Sequence, residues 1–445
     1  MIAPGAASQC PVAMQPDRSA RRLIRMKKHV TDVGLVITAA LALAGCGTAV
    51  PPPPIVAHGV AAREPLVSPR PYGAADTAFG LDLLSAWCRT DPRSNLVLSP
   101  SSLASGLGMA YLGARGGTAQ AMAGVLHLPA TGGQELAAGL QARSAALHAL
   151  DSPGVTLDAT DQVWADPNLV TVRSYLNAVA TGYDAGVAQA PLLREPDQAV
   201  REIDQAIASA TQDQIPQLLA PGSLNDVGWV LTDALYMRAA WAMPFDANQT
   251  SPGPFTTAAG QQVSVPFMDG GLYRTASAAG WTGVWLPYQG GKLGMVALLP
   301  PVGAGSCTMP SATTLNGMTG MLAGTSTTGL TSRDVALPRV SIQDRASLKN
   351  LLSLLGMGVA FSPAADFAGL SPQACCIGLV EHAATLKVGE LGTVASAATA
   401  VGIEPTAARP QGASVAFDRP YLMLITDSTT GEPLFLARVA DPAAQ

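Results

Sequence analysis

The chain has 445 residues, 48% of them hydrophobic and only 13% charged, a balance that excludes a disordered body and allows a large core in one or two domains. Its formal charge is -5 and no run of Lys and Arg interrupts it, so the sequence gives no electrostatic basis for nucleic-acid binding.

The first residues read as an address. Lys27 and Lys28 follow Met26, an apolar run extends from Val33 to Ala44, and it ends in Leu43-Ala44-Gly45-Cys46. This order of basic, apolar and small residues is the secretory signal pattern, and the apolar run is short for a membrane-spanning helix. Its ending resembles a bacterial lipobox, which implies that Cys46 is diacylated and becomes the mature N-terminus of an exported, cell-surface or extracellular protein. A plain signal peptide beside an incidental cysteine is the alternative. Residues 1–45 are thus expected to be an upstream extension and signal peptide. Pro51 to Pro54, Pro65, Pro69 and Pro71 favour polyproline II, so residues 46–72 are expected to be a tether and residues 73–445 the folded domain.

In the body, Phe79, Leu83, Leu84 and Trp87 recur at helical spacing. So do Leu103, Leu107, Ala110 and Tyr111, with Ser99 placed as N-cap and Pro100 as first helical residue. Further stripes run through Val200, Ile203 and Ile207, and through Leu348, Leu351, Leu352 and Leu355, the last stopped by Gly356. Strand-like runs cover Asn95 to Leu98, Trp229 to Met237, Val284 to Tyr288, Gly294 to Leu299, Thr385 to Val388, Tyr421 to Thr426 and Leu434 to Val439. Helices dominate early and strands late, an α+β arrangement.

The remaining cysteines, Cys10, Cys88, Cys307, Cys375 and Cys376, show no metal-ligand spacing, and adjacent Cys375 and Cys376 are poorly placed to bridge each other. They read as small buried hydrophobes, with a Cys88 to Cys307 bridge allowed by an exported location. No nucleophile elbow, phosphate-binding loop, dinucleotide fingerprint or zinc-protease motif is present, so no enzyme, metal or cofactor is expected. A serine paired through the fold with His127, His148 or His382 stays open as a hydrolase alternative.

From Leu391 to Ile403 there is no charge until Glu404, and the side chains are mostly small or β-branched. Counting by twos from Thr393 gives Ala395, Ala397, Thr399 and Val401, none of which would carry a charge into a core if the run became a strand. Gly392 supplies a permissive hinge before it. Taken alone, the run also reads as a low-complexity linker.

Four separated segments, in order, resemble the serpins: NLVLSPSSLASGLGMAYLGARGGTAQAM at Asn95 to Met122, VLTDALYMRAAWAMPF at Val230 to Phe245, the tract from Leu337 through Leu355 to Leu370, and His382 onward to FDRPYLMLITDSTTGEPLFLARVADP at Phe417 to Pro442. The resemblance implies one α+β domain with three β-sheets, about nine helices and an exposed reactive-centre loop that inserts into a sheet. It implies a hinge at Glu390, Gly392, Thr393, Ala395, Ser396, Ala397, Ala398 and Thr399, and a sheet-opening region at Ser99, Pro100, Ser102, Asp233, Trp241 and His382. A serine hydroxyl bonded to His382 would latch two strands that must later separate, although a purely structural histidine fits as well. Asp233 departs from the family's usual Asn, which points to a pH-sensitive latch.

The implied activity is suicide inhibition of a serine protease by a monomer, without cofactor. A non-inhibitory serpin-fold binding protein at the cell surface is the alternative. Counting forward from Glu390 puts the bait at Thr406, followed by Ala407 and Ala408, and counting back from Phe417 puts it at Arg409. The small residues suit an elastase- or subtilisin-like target, whereas Arg409 is followed by Pro410, a poor leaving side; a cysteine protease stays open. Gln134 to Leu150 holds only Arg143 and His148 as basic groups, so no glycosaminoglycan activation is expected.

Overall fold

The computed structural model describes residues 54–159, 161–225, 227–324, 329–393 and 414–444. The chain divides into two units, Met1–Pro51 and Pro52–Gln445, and every described residue belongs to the second. Cys46, Ala395, Ser396, Ala397, Ala398, Thr399, Thr406, Ala407, Ala408 and Arg409 therefore lie outside the described residues.

The first elements are β1 (Val56–Ala57), α1 (Arg70–Thr90), β2 (Leu96–Leu98), α2 (Pro100–Gly113), α3 (Gly116–Val125) and α4 (Gly133–His148). Next come β3 (Val155–Ala159), β4 (Gln162–Ala165), α5 (Arg173–Tyr183), β5 (Val187–Gln189), α6 (Pro196–Ala210) and β6 (Trp229–Ala240). Then follow β7 (Ser251–Thr256), β8 (Gln262–Ala278), β9 (Trp281–Pro287), β10 (Leu293–Leu299), α7 (Ala312–Ala323), β11 (Thr331–Pro338), β12 (Val340–Ser347) and α8 (Lys349–Leu352). The chain ends with β13 (Val380–Gly389), β14 (Gly392–Thr393), β15 (Val415–Ala416), β16 (Tyr421–Asp427) and β17 (Pro433–Val439).

The strands form two hydrogen-bonded networks among the described residues. One has eight strands in the order β1-β5-β4-β6-β14-β13-β12 with β3 on β6; the other has nine, β15-β11-β8-β9-β10-β16-β17-β2, with β7 on β8. The resemblance implied three sheets. Two of them join here because β8 is one 17-residue strand that pairs with β7 from Gln262 to Phe267, with β11 from Phe267 to Thr275 and with β9 from Arg274 to Ala278. Positive φ at Gly270 (112°) and Gly271 (86°) marks the irregularity in its pairing with β11.

α2 sits under the eight-stranded sheet and starts as its sequence requires. Ser99 is extended, its Oγ accepts from Ser102 N at 3.3 Å, and Pro100 occupies the first turn, where its missing N–H costs nothing. Beside it, Arg143 of α4 is almost fully buried and reaches Asp76 of α1 at 2.7 Å and Glu432 at 2.9 Å. Burial, only partly offset by Arg143, holds the Glu432 carboxyl well above the usual range. Arg143 is thus a core tie between α1, α4 and the β16–β17 connection rather than a surface charge.

Two expectations change. The tether does not run free to residue 72, because β1 adds antiparallel to β5, and Val60 N and Ala62 N donate to Asn177 Oδ1 (2.8 Å) and Thr181 Oγ1 (2.9 Å) of α5. Gln141 of α4 completes this strap by donating to Ala62 O at 2.9 Å and accepting from Glu64 N at 3.0 Å. β5 would otherwise end the sheet with unpaired backbone groups, which any extended segment can satisfy. Second, Cys88 of α1 is disulfide-bonded to Cys307, with Cα atoms 5.7 Å apart, whereas Cys375 and Cys376 are free.

Candidate functional site: the hinge and the sheet seam

β6 and β13 run parallel and pair directly from Leu231 with Val380 to Leu235 with Ala384. Farther along, β14 separates them. Gly392 pairs with Ala240 of β6 and Gly389 of β13, and Thr393 with Ala239 and Val388, both antiparallel. The sheet is closed at one end of this seam and already holds two residues of a new strand at the other.

The described hinge residues, Glu390 to Thr393, are each held by specific contacts. The Glu390 carboxylate accepts from Arg339 Nε at 2.7 Å and Thr250 Oγ1 at 2.6 Å, and its Oε1 lies 2.6 Å from the second guanidinium nitrogen of Arg339. Burial opposes its ionisation, but these donors outweigh it and leave the Glu390 carboxyl below its ordinary value. Trp241 N donates to Leu391 O at 2.9 Å, and Trp241 Nε1 to Gly389 O at 2.9 Å. Trp241 stacks on Tyr288 with centroids 4.4 Å apart, and Tyr288 Oη shares a hydrogen bond of 2.5 Å with Thr393 Oγ1. Burial pushes the Tyr288 phenol up, so it stays protonated. Gly392 has φ +148°, and a Cβ there would lie 2.0 Å from Ala239 O, so only glycine fits this position.

At the closed part of the seam, His382 of β13 is fully buried and its Nδ1 lies 2.5 Å from Asp233 Oδ1 of β6. The expected serine is absent from this contact. Ser102 instead donates to Asp161 Oδ1, and the carboxylate of Asp233 takes the place at the histidine. Burial first, and the Asp233 charge second, push the Asp161 carboxyl well above the usual range. Asp344 of β12 accepts from Val97 N at 2.7 Å, and burial raises it to about 6. Asp233 thus touches the imidazole, Asp344 lies within electrostatic reach of it, and Asp161 lies within electrostatic reach of Asp233, all where β6 and β13 pair directly. Asp161, Arg339, Tyr288 and Asp344 were invisible to the sequence reading, since each meets its partner only through the fold.

The structure therefore brings Trp241, Glu390, Gly392 and Thr393 together at one end of the seam, and Ser99, Pro100, Ser102, Asp233 and His382 beneath and within its closed part. His127 pairs with Asp82 on the surface, and His148 ends α4, where it lines a cavity together with Ser102 and Asp161. A sheet holding the first residues of a loop between two strands defines a class of protein with an acceptor site for its own chain.

The comparisons agree with that geometry. The model of the serpin (serine protease inhibitor) family matches residues 74–442. A leukocyte elastase inhibitor from Bos taurus is 30% identical over 83% of this chain and 99% of its own. Iris from Ixodes ricinus is 27% identical over 79% and 93%. Among solved structures, the native thermophilic serpin tengpin aligns with a TM-score of 0.73 at 23% identity, covering 86% of this chain and 97% of that one. Uncleaved ovalbumin aligns with a TM-score of 0.71, also at 23% identity, over 83% and 100%. The chain belongs to the serpin family, whose relatives here include proteins named as serine protease inhibitors.

Proposed function

We propose that this protein inhibits a serine protease as a suicide substrate, using the seam between β6 and β13 as the acceptor for its cleaved loop. The observation that carries the reading is β14, two residues of that loop seated between both strands. A target serine attacks the bait bond and forms an acyl-enzyme. The freed loop then extends β14 down the seam and carries the protease with it. About 13 residues at roughly 3.3 Å each give a strand of order 40 Å. Traction on the acylated serine disturbs the oxyanion hole, where loss of one donor slows deacylation by about 10² to 10³.

Thr406, Ala407 and Ala408 are the proposed bait, which suits an elastase- or subtilisin-like pocket; the relative named leukocyte elastase inhibitor supports that choice. Export and lipidation at Cys46 belong to the same proposal, supported by the Cys88–Cys307 disulfide, since such bonds persist in oxidising compartments. The test is incubation with elastase- and subtilisin-type proteases. The expected result is a covalent complex that survives denaturation. Cleavage with no complex and no gain in thermal stability would overturn the inhibitory reading and favour a non-inhibitory binding protein.

A further inference from the structure

One end of the nine-stranded network encloses a cavity of about 260 Å³ whose two charged side chains are both cationic. Arg438 of β17 is 1% exposed, and Arg419, just ahead of β16, is partly open to solvent. No acidic side chain lines the cavity among the described residues. Beside the arginines the wall is apolar: Trp281 at the start of β9, Pro300 and Pro301 after β10, and Leu422 of β16, which pairs directly with Arg438.

Arg438 is a buried cation without a counter-charge. Its Nε donates to Ser306 O at 2.9 Å, and its two terminal nitrogens donate to Ser94 O and Pro92 O at 2.8 Å each. Those bonds use three of its five N–H groups, and carbonyls supply only partial charge. Among the described residues Arg438 makes no ion pair. Burial therefore pushes its guanidinium pKa down, opposed only by Asp91, which does not line the cavity. Arg419 differs, because Asp418 lies 3.2 Å from it in an exposed and hence weak pair. About one positive charge is left over beside apolar surface.

We propose that this cavity binds a small organic monocarboxylate, its charged end on the two arginines and its apolar body against Trp281 and Leu422. A guanidinium fork matches a carboxylate, and one uncompensated charge calls for a single anionic group rather than a doubly charged phosphate. The volume lies below the roughly 300 to 1,000 Å³ of drug-sized sites, which limits the body to a small aryl or branched aliphatic group. The remaining wall is fixed in advance. Ala304 N donates to Pro301 O at 3.1 Å and Thr308 N to Gly305 O at 3.0 Å, and Cys307 between Ser306 and Thr308 is bonded to Cys88 of α1. Such a wall has little ordering entropy left to lose on binding. The surrounding strands β9, β10, β16 and β17 make no pairing with β14, so the assignment does not rest on the inhibitory reading.

The test is calorimetric titration of the full chain with naphthoate, with the neutral analogue naphthalenemethanol and with inorganic phosphate. Naphthoate is expected to bind once per chain with a Kd of about 1 mM or tighter, and about tenfold more tightly than the neutral analogue. Arg438→Gln also removes the ties to Pro92 and Ser94, so two variants on the open side of the cavity carry the assignment. Ala304→Phe fills the cavity from its loop and is expected to abolish binding, and Arg419→Gln is expected to weaken it by about threefold. Equal affinity for the two naphthalene compounds, a preference for phosphate, unchanged binding in either variant, or no binding of naphthoate would each overturn the proposal.

Discussion

Gly392 and Asp344 show how single side chains set the energetics of the seam. Gly392 occupies φ +148° with Ala239 O where a Cβ would be, so Gly392→Val adds both backbone strain and a clash to every step that seats β14. About 1.4 kcal/mol on the insertion barrier is tenfold in rate. Gly392→Val is expected to raise the number of inhibitor molecules consumed per trapped protease by roughly tenfold or more. A titration of protease activity reads this, and an unchanged stoichiometry would show that β14 does not lie on the insertion path. Asp344 acts through pH. Its folded value of about 6 lies above the 3.8 of an ordinary aspartate, so the folded state holds the proton more tightly. Below about pH 4 both states are protonated and no penalty exists; stability falls as the pH rises through 6 and the full penalty is present above it. That penalty is about 3 kcal/mol at most, less what water screens. Asp344→Asn keeps an acceptor for Val97 N and removes the charge. Its thermal midpoint is expected to exceed the parent's at pH 7.5, with the difference closing only as the pH falls below about 4; a difference independent of pH would assign the effect to something other than this carboxyl.

The elements differ in how clearly the sequence announces them. β6, β10, β16 and β17 are buried along nearly their whole length, so their apolar runs are continuous and legible. β8 alternates buried and exposed positions, contains Asp269, Gly270 and Gly271, and changes partners midway, so no single period marks it. The stripe from Leu348 to Leu355 predicts a regular helix, yet only Lys349–Leu352 is α-helical before the turns widen toward Gly356 at φ 118°. Of the expected hinge, Glu390, Gly392 and Thr393 stand at the seam, and Ala395 to Thr399 lie outside the described residues. The clasps on Glu390 were not legible: Thr250 and Arg339 meet it across 140 and 51 residues of sequence. The strap was not foreseen because the prolines at 51–54, 65, 69 and 71 flank Val56 to Glu64 and say nothing of what that stretch can pair with. Gln141 makes three hydrogen bonds here, two with the strap, donating to Ala62 O and accepting from Glu64 N, and one to Thr181 O of α5. At about 0.5 to 1 kcal/mol each for partly exposed bonds, Gln141→Ala is expected to cost about 2 kcal/mol. Limited proteolysis should then cut ahead of residue 70 sooner than in the parent chain; unaltered cutting would mean that the β1–β5 pairing alone secures the strap.

For the whole molecule, the question is which bonds favour every folded form and which set the gap between the uncleaved and inserted forms. The Cys88–Cys307 disulfide belongs to the first kind. It closes 219 residues, and chain entropy alone assigns such a crosslink about 5 kcal/mol against the unfolded chain. Its two ends lie on α1 and on the loop between β10 and α7, away from β6, β13 and β14, so loop insertion leaves it untouched. Glu390, Asp233 and His382 belong to the second kind, because their contacts are made across or beside the strands that the proposed insertion would separate. Replacing both cysteines, Cys88→Ala with Cys307→Ala, is therefore expected to lower the thermal midpoints of the uncleaved and the loop-cleaved protein by similar amounts. The gain on cleavage should stay constant, and so should the number of inhibitor molecules used per protease. Asp233→Asn should do the reverse, shifting the uncleaved midpoint with little change in the cleaved one. Calorimetry of both forms of each variant separates the two classes, and a disulfide variant whose cleavage gain shrinks would place α1 among the parts that move.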